Sequence, residues 1–130
     1  MKIVVTGHTN GIGKALAGTF SKYGHEVVGY SRSTGFDISQ EDIRNQIIQE
    51  SADADIFINN AYDVVGQTEL LKGMISAWET AYNKQLINIS SKLVYLEGDT
   101  SAFKEYIEQK KLQNEICNNF IITIYIYIYI

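Results

Sequence analysis

Two groups of residues in this sequence have the types and spacing to do chemistry. The first is Thr6-Gly7-His8-Thr9-Asn10-Gly11-Ile12-Gly13, a glycine-punctuated turn between a β-rich run, Lys2–Thr6, and a helical pattern. Gly7 permits a tight turn, Gly11 lets the backbone approach a pyrophosphate, and Gly13 lets a helix pack close to a strand. The N-terminus of that helix offers N–H groups and a partial positive charge to an anion. Gly7, Thr9, Asn10, Gly11, Ile12 and Gly13 are therefore the expected phosphate-binding residues. The second group is Tyr106 and Lys110, i and i+4 on a predicted helix, so that both side chains leave one face. A phenol, with a reference pKa near 10, is a poor base at neutral pH, and an adjacent ammonium stabilises its phenolate.

The elements that must position these groups alternate along the chain. Apolar residues at Ile12, Ala15, Leu16 and Phe20 predict a helix over 12–23, stopped at Tyr23-Gly24. Residues 25–30 read as a strand and 55–60 as another. Between them Ser39 is placed to cap a helix carrying Asp42 in its first turn and Ile43, Ile47 and Ile48 as its apolar stripe. A helix is predicted over 68–82, with Leu70, Leu71, Met74, Ile75 and Trp78 on one side. A strand at 86–89, a helix over 102–117 and a strand over 120–130 follow. Such alternation calls for a parallel sheet covered on both faces by right-handed crossovers. The stretch Ile-Tyr-Ile-Tyr-Ile-Tyr-Ile at 124–130 has the period of a strand, with isoleucine on one face and tyrosine on the other. An (AT)n tract read in one frame would also encode it.

Four blocks in order resemble the short-chain dehydrogenase/reductase family. The glycine turn fits T-G-x-x-x-G-x-G; Ile58-Asn59-Asn60-Ala61 is similar to N-N-A-G, with Tyr62 in place of the last glycine. Asn88-Ile89-Ser90-Ser91 resembles the block with the catalytic serine, and Tyr106 to Lys110 fits Y-x-x-x-K. The resemblance implies a Rossmann-like α/β fold, a doubly wound parallel sheet of about six strands in a single domain over 1–130. It implies an oxidoreductase that interconverts a carbonyl and an alcohol by hydride transfer. Tyr106 would exchange a proton with the substrate oxygen, Ser91 (rather than Ser90) would hold that oxygen, and Lys110 would tune Tyr106 and bind the nicotinamide ribose. Asn60, Ala61, Tyr106 and Lys110 thus join the cofactor-binding residues. Gln67 falls nearest the family's fourth, water-relaying position.

The same resemblance bears on the choice of cofactor. NAD-preferring members place an acid at the end of the second strand, where this chain has Ser31-Arg32-Ser33. Arg32 can hold a 2′-phosphate by paired, charge-assisted hydrogen bonds, with Ser31 and Ser33 adding contacts. NADP is therefore expected over NAD. Asp37, in Phe36-Asp37-Ile38, matches the aspartate that meets the adenine edge, and Ile38 accompanies it. Asp37 follows Arg32 by five residues, so the helix and strand normally between them are nearly absent.

Composition sets the outer limits. The 130 residues are 45% hydrophobic and 20% charged, with a net charge of −4 and scattered Lys and Arg, which argues against nucleic acid as the main partner. A single cysteine, Cys117, excludes an internal disulfide, and no metal site is expected. No apolar run is long enough to span a bilayer; no membrane association and a cytoplasmic location are the expectations. His8, His25, Met74, Trp78 and Cys117 read as loop, strand-edge or core residues, and Glu108, Lys111 and Glu115 as a solvated helix face. The sequence holds no proline and no counterpart of the family's C-terminal portion, which encloses the substrate. A shortened family member acting on a small-molecule carbonyl or alcohol is the first expectation; a non-catalytic dinucleotide-binding remnant is the alternative. The Ile/Tyr strand, as an unblunted edge, predicts a homo-oligomer, with the helices bearing Trp78 and Tyr106 as a competing contact surface.

Overall fold

Parallel strands cannot be joined by tight hairpins, so each successive pair here is separated by a helix. The computed structural model describes residues 1–95, 98, 101–119 and the backbone of 123–128. Its strands are β1 (Lys2–Thr6), β2 (Glu26–Tyr30), β3 (Ile56–Asn59), β4 (Gln85–Ser91) and β5 (Thr123–Ile128); its helices are α1 (Gly11–Lys22), α2 (Glu41–Glu50), α3 (Gly66–Ala77) and α4 (Lys104–Asn118). All pairings are parallel, in the order β2-β1-β3-β4-β5. The chain moves outward from β1 to β2, then crosses back to β3 on the other side of β1. Between the carboxyl ends of β1 and β3 the winding reverses, which opens a crevice there.

Strand periodicity divides the core between the two faces of the sheet. Val4, Phe57 and Leu86, in register across β1, β3 and β4, share one face with Ile47 of α2, Leu70, Leu71, Met74 and Ile75 of α3, Trp78 just beyond α3, and Cys117 of α4. Ile3, Val5, Ile56, Ile58 and Ile89 point to the other face, where Leu16 and Phe20 of α1 pack on them. Burial raises the Cys117 thiol to about 11, so it behaves as an inert apolar side chain. Ile12, in the first turn of α1, stands above the strand ends and is 41% exposed.

The structure departs from the sequence reading at four places. Five strands are present among the described residues, against about six implied by the resemblance, and the segment after β2 is a 3-10 turn, Arg32–Thr34, closed by Gly35 at φ +96°. Ser39 does not cap α2: its N–H is donated to Asp37 Oδ1 at 3.0 Å, in a local Asx turn, and α2 begins at Glu41 with Gln40 flanking it. α3 begins at Gly66, ahead of the predicted residue 68, because Asp63 Oδ2 accepts the N–H groups of Gly66 at 2.8 Å and Val65 at 3.3 Å. That helix also ends at Ala77, short of residue 82. β5 takes the expected place beside β4, with Leu86 opposite Thr123 and Ser91 opposite Ile128. The rest of the expected strand, residues 120–122 and 129–130, and the facing of its Ile and Tyr side chains lie outside the described residues. Among the described residues no helix is long and apolar enough to cross a membrane.

The turn after β1 depends on two glycines. Gly7 has φ +69°, a left-handed conformation that side chains disfavour. Gly13 lies so close beneath it that a Cβ would fall 2.1 Å from Gly7 O. Gly13→Ala is therefore expected to cost about 1–3 kcal/mol of unfolding free energy in urea titrations. Gly18→Ala, on the same helix with nothing within 4 Å of the added Cβ, should be neutral or stabilising by up to about 1 kcal/mol. Equal stability of the two variants would show that the contact between the two glycines is not tight.

Candidate active site

The crevice at the strand reversal is a cleft of about 630 Å³, within the size range of small-molecule sites. Its walls hold together through Thr6 and Asn60. Thr6 Oγ1 accepts the N–H groups of Asn60 and Ala61, both at 3.0 Å, and Asn60 Nδ2 returns a bond to Thr6 O at 3.0 Å. The ends of β1 and β3 are thus tied side by side. Of the residues expected to bind a dinucleotide, Gly7, Thr9, Asn10, Gly11, Ser31, Arg32, Asp37, Ile38, Asn60 and Ala61 line this cleft. Gly13 is buried beneath the turn, and Ile12, Tyr106 and Lys110 do not line this cleft. Ser33, Phe36, Tyr62 and Asp63 complete it.

One end of the cleft is rich in hydroxyls. Thr9 Oγ1 lies 2.8 Å from Ser31 Oγ and 3.0 Å from Ser33 Oγ, and the two serine oxygens are 3.0 Å apart. Exposed Arg32 stands beside this triangle. Asp37 is held below the usual carboxylate range, first by the Ser39 N–H and also by the Arg32 charge. Phe36 packs edge-on against Tyr30, with ring centres 4.8 Å apart. Asn10 makes no side-chain bond to the first turn of α1, whose N–H groups point toward the cleft side of the turn.

Lys110 lies deeper, only 2% exposed. Its Nζ donates to Gln67 Oε1 at 2.8 Å and to Ile89 O at 2.7 Å. Gln67, fully buried, spends its own N–H groups on Asn59 O at 2.9 Å and Ile89 O at 3.3 Å. Asn59 Nδ2 donates to Asn88 Oδ1, Asn88 Nδ2 to Gln113 Oε1, and Gln113 Nε2 to Thr68 Oγ1, at 2.9, 2.9 and 3.1 Å. Gln67 therefore meets Lys110 directly, where the sequence reading gave it a water. Burial lowers the Lys110 pKa to about 8, while the two carbonyl-type oxygens favour its ammonium form.

Two tyrosine rings cover that ammonium. Lys110 Nζ is 5.5 Å from the Tyr106 ring centre and 5.6 Å from that of Tyr62, within cation–π range. The rings meet edge-to-face, 4.8 Å apart. Burial, then the charge of Glu105, raises the Tyr62 phenol. Beyond these rings lies a second cleft of about 640 Å³, formed by Tyr62, Val64, Leu93, Ala102, Phe103, Glu105 and Tyr106. Tyr62 belongs to both clefts. Ser91 is fully buried at the end of β4, with its Oγ accepting the Leu93 N–H at 3.2 Å, and it does not line the second cleft among the described residues. Ser90 Oγ donates to Asn114 Oδ1 at 2.8 Å. The structure thus brings Tyr106 and Lys110 together and leaves Ser91 buried, outside the second cleft among the described residues. The amide network escaped the sequence reading, although Asn59 and Asn88 in apolar strands were its signal.

No protein-family model matches this sequence, and no curated protein matches it. Solved structures do. A protein assigned as an NAD(P)-dependent gluconate 5-dehydrogenase from Beutenbergia cavernae, with bound NADP at low occupancy, is similar over 91% of this chain and 64% of its own, at 17% identity and a TM-score of 0.74. A bulky-bulky ketone specific alcohol dehydrogenase from Comamonas testosteroni is similar over 91% and 65%, at 16% identity and a TM-score of 0.78. A short-chain dehydrogenase/reductase from Burkholderia vietnamiensis is similar over 98% and 83%, at 17% identity and a TM-score of 0.74. The chain has the Rossmann-like fold of these enzymes and spans less than two-thirds of the first two.

The buried ammonium has a pH signature. Its folded pKa, about 8, lies below the ordinary 10.5, so between those values the unfolded chain holds more protons and stability rises with pH. Below about pH 8 the full cost, about 3 kcal/mol at most, is present. Relative to Lys110→Met, the wild type should therefore gain stability between pH 8 and 10 in chemical denaturation. A gap that stays flat, or moves toward the variant, would mean that Lys110 is not desolvated in the fold.

Proposed function

We propose that the chain binds NADP(H) in the crevice between β1 and β3 and interconverts a small-molecule carbonyl and alcohol at Tyr106. The observation that carries this reading is the meeting of the two clefts at Tyr62, directly above the Lys110 ammonium and beside Tyr106. The cleft fits a dinucleotide by its glycine turn, its volume and its hydroxyl end. Gly7, Thr9, Asn10 and Gly11 would hold the pyrophosphate, Asp37 and Ile38 the adenine, and Asn60 and Ala61 the central ribose region. The triangle of Thr9, Ser31 and Ser33 with Arg32 supports a 2′-phosphate, hence NADP. The solved neighbour from Beutenbergia holds NADP.

The bound nicotinamide supplies the hydride in reduction and accepts it in oxidation. Tyr106 gives its hydroxyl proton to the carbonyl oxygen in the first direction and takes it back in the second. Gln67 Oε1 and Ile89 O hold the Lys110 charge beneath the Tyr106 ring. Ser91 is fully buried, its oxygen accepts the Leu93 N–H, and it does not line the second cleft among the described residues, so no part in this step is assigned to it. A second reading, dinucleotide binding without turnover, is favoured by the complete burial of Ser91.

Two measurements test the proposal. Tyr106→Phe keeps the ring over Lys110 and removes the hydroxyl; carbonyl reduction should fall by about a hundredfold or more, with NADPH binding little changed. Activity that survives this change places the chemistry elsewhere, and a wild type that binds NADPH without reducing any aldehyde or ketone selects the second reading. Arg32→Ala removes a charged partner of the 2′-phosphate, so NADPH affinity in fluorescence titration should drop about tenfold or more while NADH affinity holds. Equal wild-type affinities for NADPH and NADH would remove the basis for NADP.

A further inference from the structure

The two clefts that meet at Tyr62 differ sharply in chemistry. The first is lined by backbone, hydroxyls, Arg32 and carboxylates, as suits a phosphate-bearing ligand. In the second, Val64, Leu93, Ala102 and Phe103 are apolar, Tyr62 and Tyr106 add ring faces, and Glu105 is the one charged residue among the described lining residues. No lysine, arginine or histidine is among them. The Lys110 ammonium lies beneath the Tyr62 and Tyr106 rings and is already bonded to two oxygens. Val64 and Phe103 are 37% and 52% exposed, so apolar surface is left open to a ligand beside the Tyr106 ring.

We infer that this cleft selects a neutral, ring-sized apolar carbonyl or secondary alcohol and rejects carboxylated or phosphorylated ones. The inference rests on the proposed role of Tyr106, which fixes where the reacting oxygen sits. A volume of about 640 Å³ accepts a fused aromatic or alicyclic body, and burial of that body against Phe103, Val64 and Leu93 supplies the affinity. An anionic group would lose its water, find no cation among the described lining residues to replace it, and meet the Glu105 carboxylate. The absence of a donor set for acidic substrates works as selection against them.

Steady-state reduction by NADPH of 2-acetylnaphthalene and of 6-acetyl-2-naphthoate tests the selection, since the pair differs only by the carboxylate. The neutral ketone should have a kcat/KM at least about a hundredfold higher. Glu105→Arg should narrow that ratio about tenfold by introducing a partner for the acid. Saturation-transfer NMR of 2-acetylnaphthalene without cofactor gives a readout that does not depend on turnover: its signal should be strong with wild type and lost with Val64→Asp, a change at a partly exposed position. If the ketone binds in this way and no ketone is reduced, the apolar selectivity stands and the catalytic role of Tyr106 falls. If the naphthoate is reduced as well as the neutral ketone, or if Val64→Asp leaves the NMR signal unchanged, the inference is overturned.

Discussion

A single ammonium, held out of water without a carboxylate, organises the functional half of this molecule. Lys110 is compensated by a side-chain amide oxygen and a backbone carbonyl. Neither carries a full charge, so both must be aimed accurately to repay the lost hydration. Aiming Gln67 Oε1 requires that the Gln67 amide group be fixed at its nitrogen, and the carbonyls of Asn59 and Ile89 do that. Asn59, Asn88 and Gln113 then extend the chain of bonds from β3 through β4 to α4. The result couples the strand that ends at the first cleft to the helix that carries Tyr106. Packing alone would allow these elements to slide; a buried polar network with every donor directed permits far fewer arrangements.

The winding of the sheet explains why the site lies where it does. Crossovers on opposite faces diverge between β1 and β3, and Thr6 with Asn60 fastens that gap at its base. Everything that lines the first cleft is delivered by a loop at the carboxyl end of a strand. The second cleft lies one strand further along, where the turns after β4 and the first turn of α4 meet Tyr62. The dividing residue is thus a tyrosine at a position where the resembling family has glycine, and its ring stands between the hydroxyl-rich and apolar clefts.

Much of this was readable in one dimension, for a physical reason. The glycine turn, the short apolar runs of β1 and β3 and the stripe from Leu70 to Trp78 are local patterns, and local sterics and burial decide them. Tyr106 and Lys110 are likewise one helical turn apart. Gln67 and Lys110 are 43 residues apart, and no periodicity announces such a bond. Asn59, Asn88 and Gln113 were visible as polar residues in apolar company, but which amide faces which depends on register between strands. Ser39 was misread because α2 starts at Glu41 with Gln40 as its flanking residue, one position later than a Ser39 cap requires. The strand read as 86–89 runs on to Ser91, and the 3-10 turn that follows at Lys92–Tyr95 has no strong sequence marker.

The pairing of β1 with β3 also has a kinetic meaning. Ile3 sits opposite Ile56, so the central ladder closes only after a loop of more than fifty residues has been brought together. Such non-local closure is slow, and nothing short of it brings Thr6 to Asn60. The crevice between these strands therefore comes into being late, after β1–α1–β2 can already have formed. A dinucleotide finds no site on a chain that has not crossed this barrier. Its binding would leave the folding rate untouched and lengthen the lifetime of the folded molecule, making occupancy of the crevice a brake on unfolding.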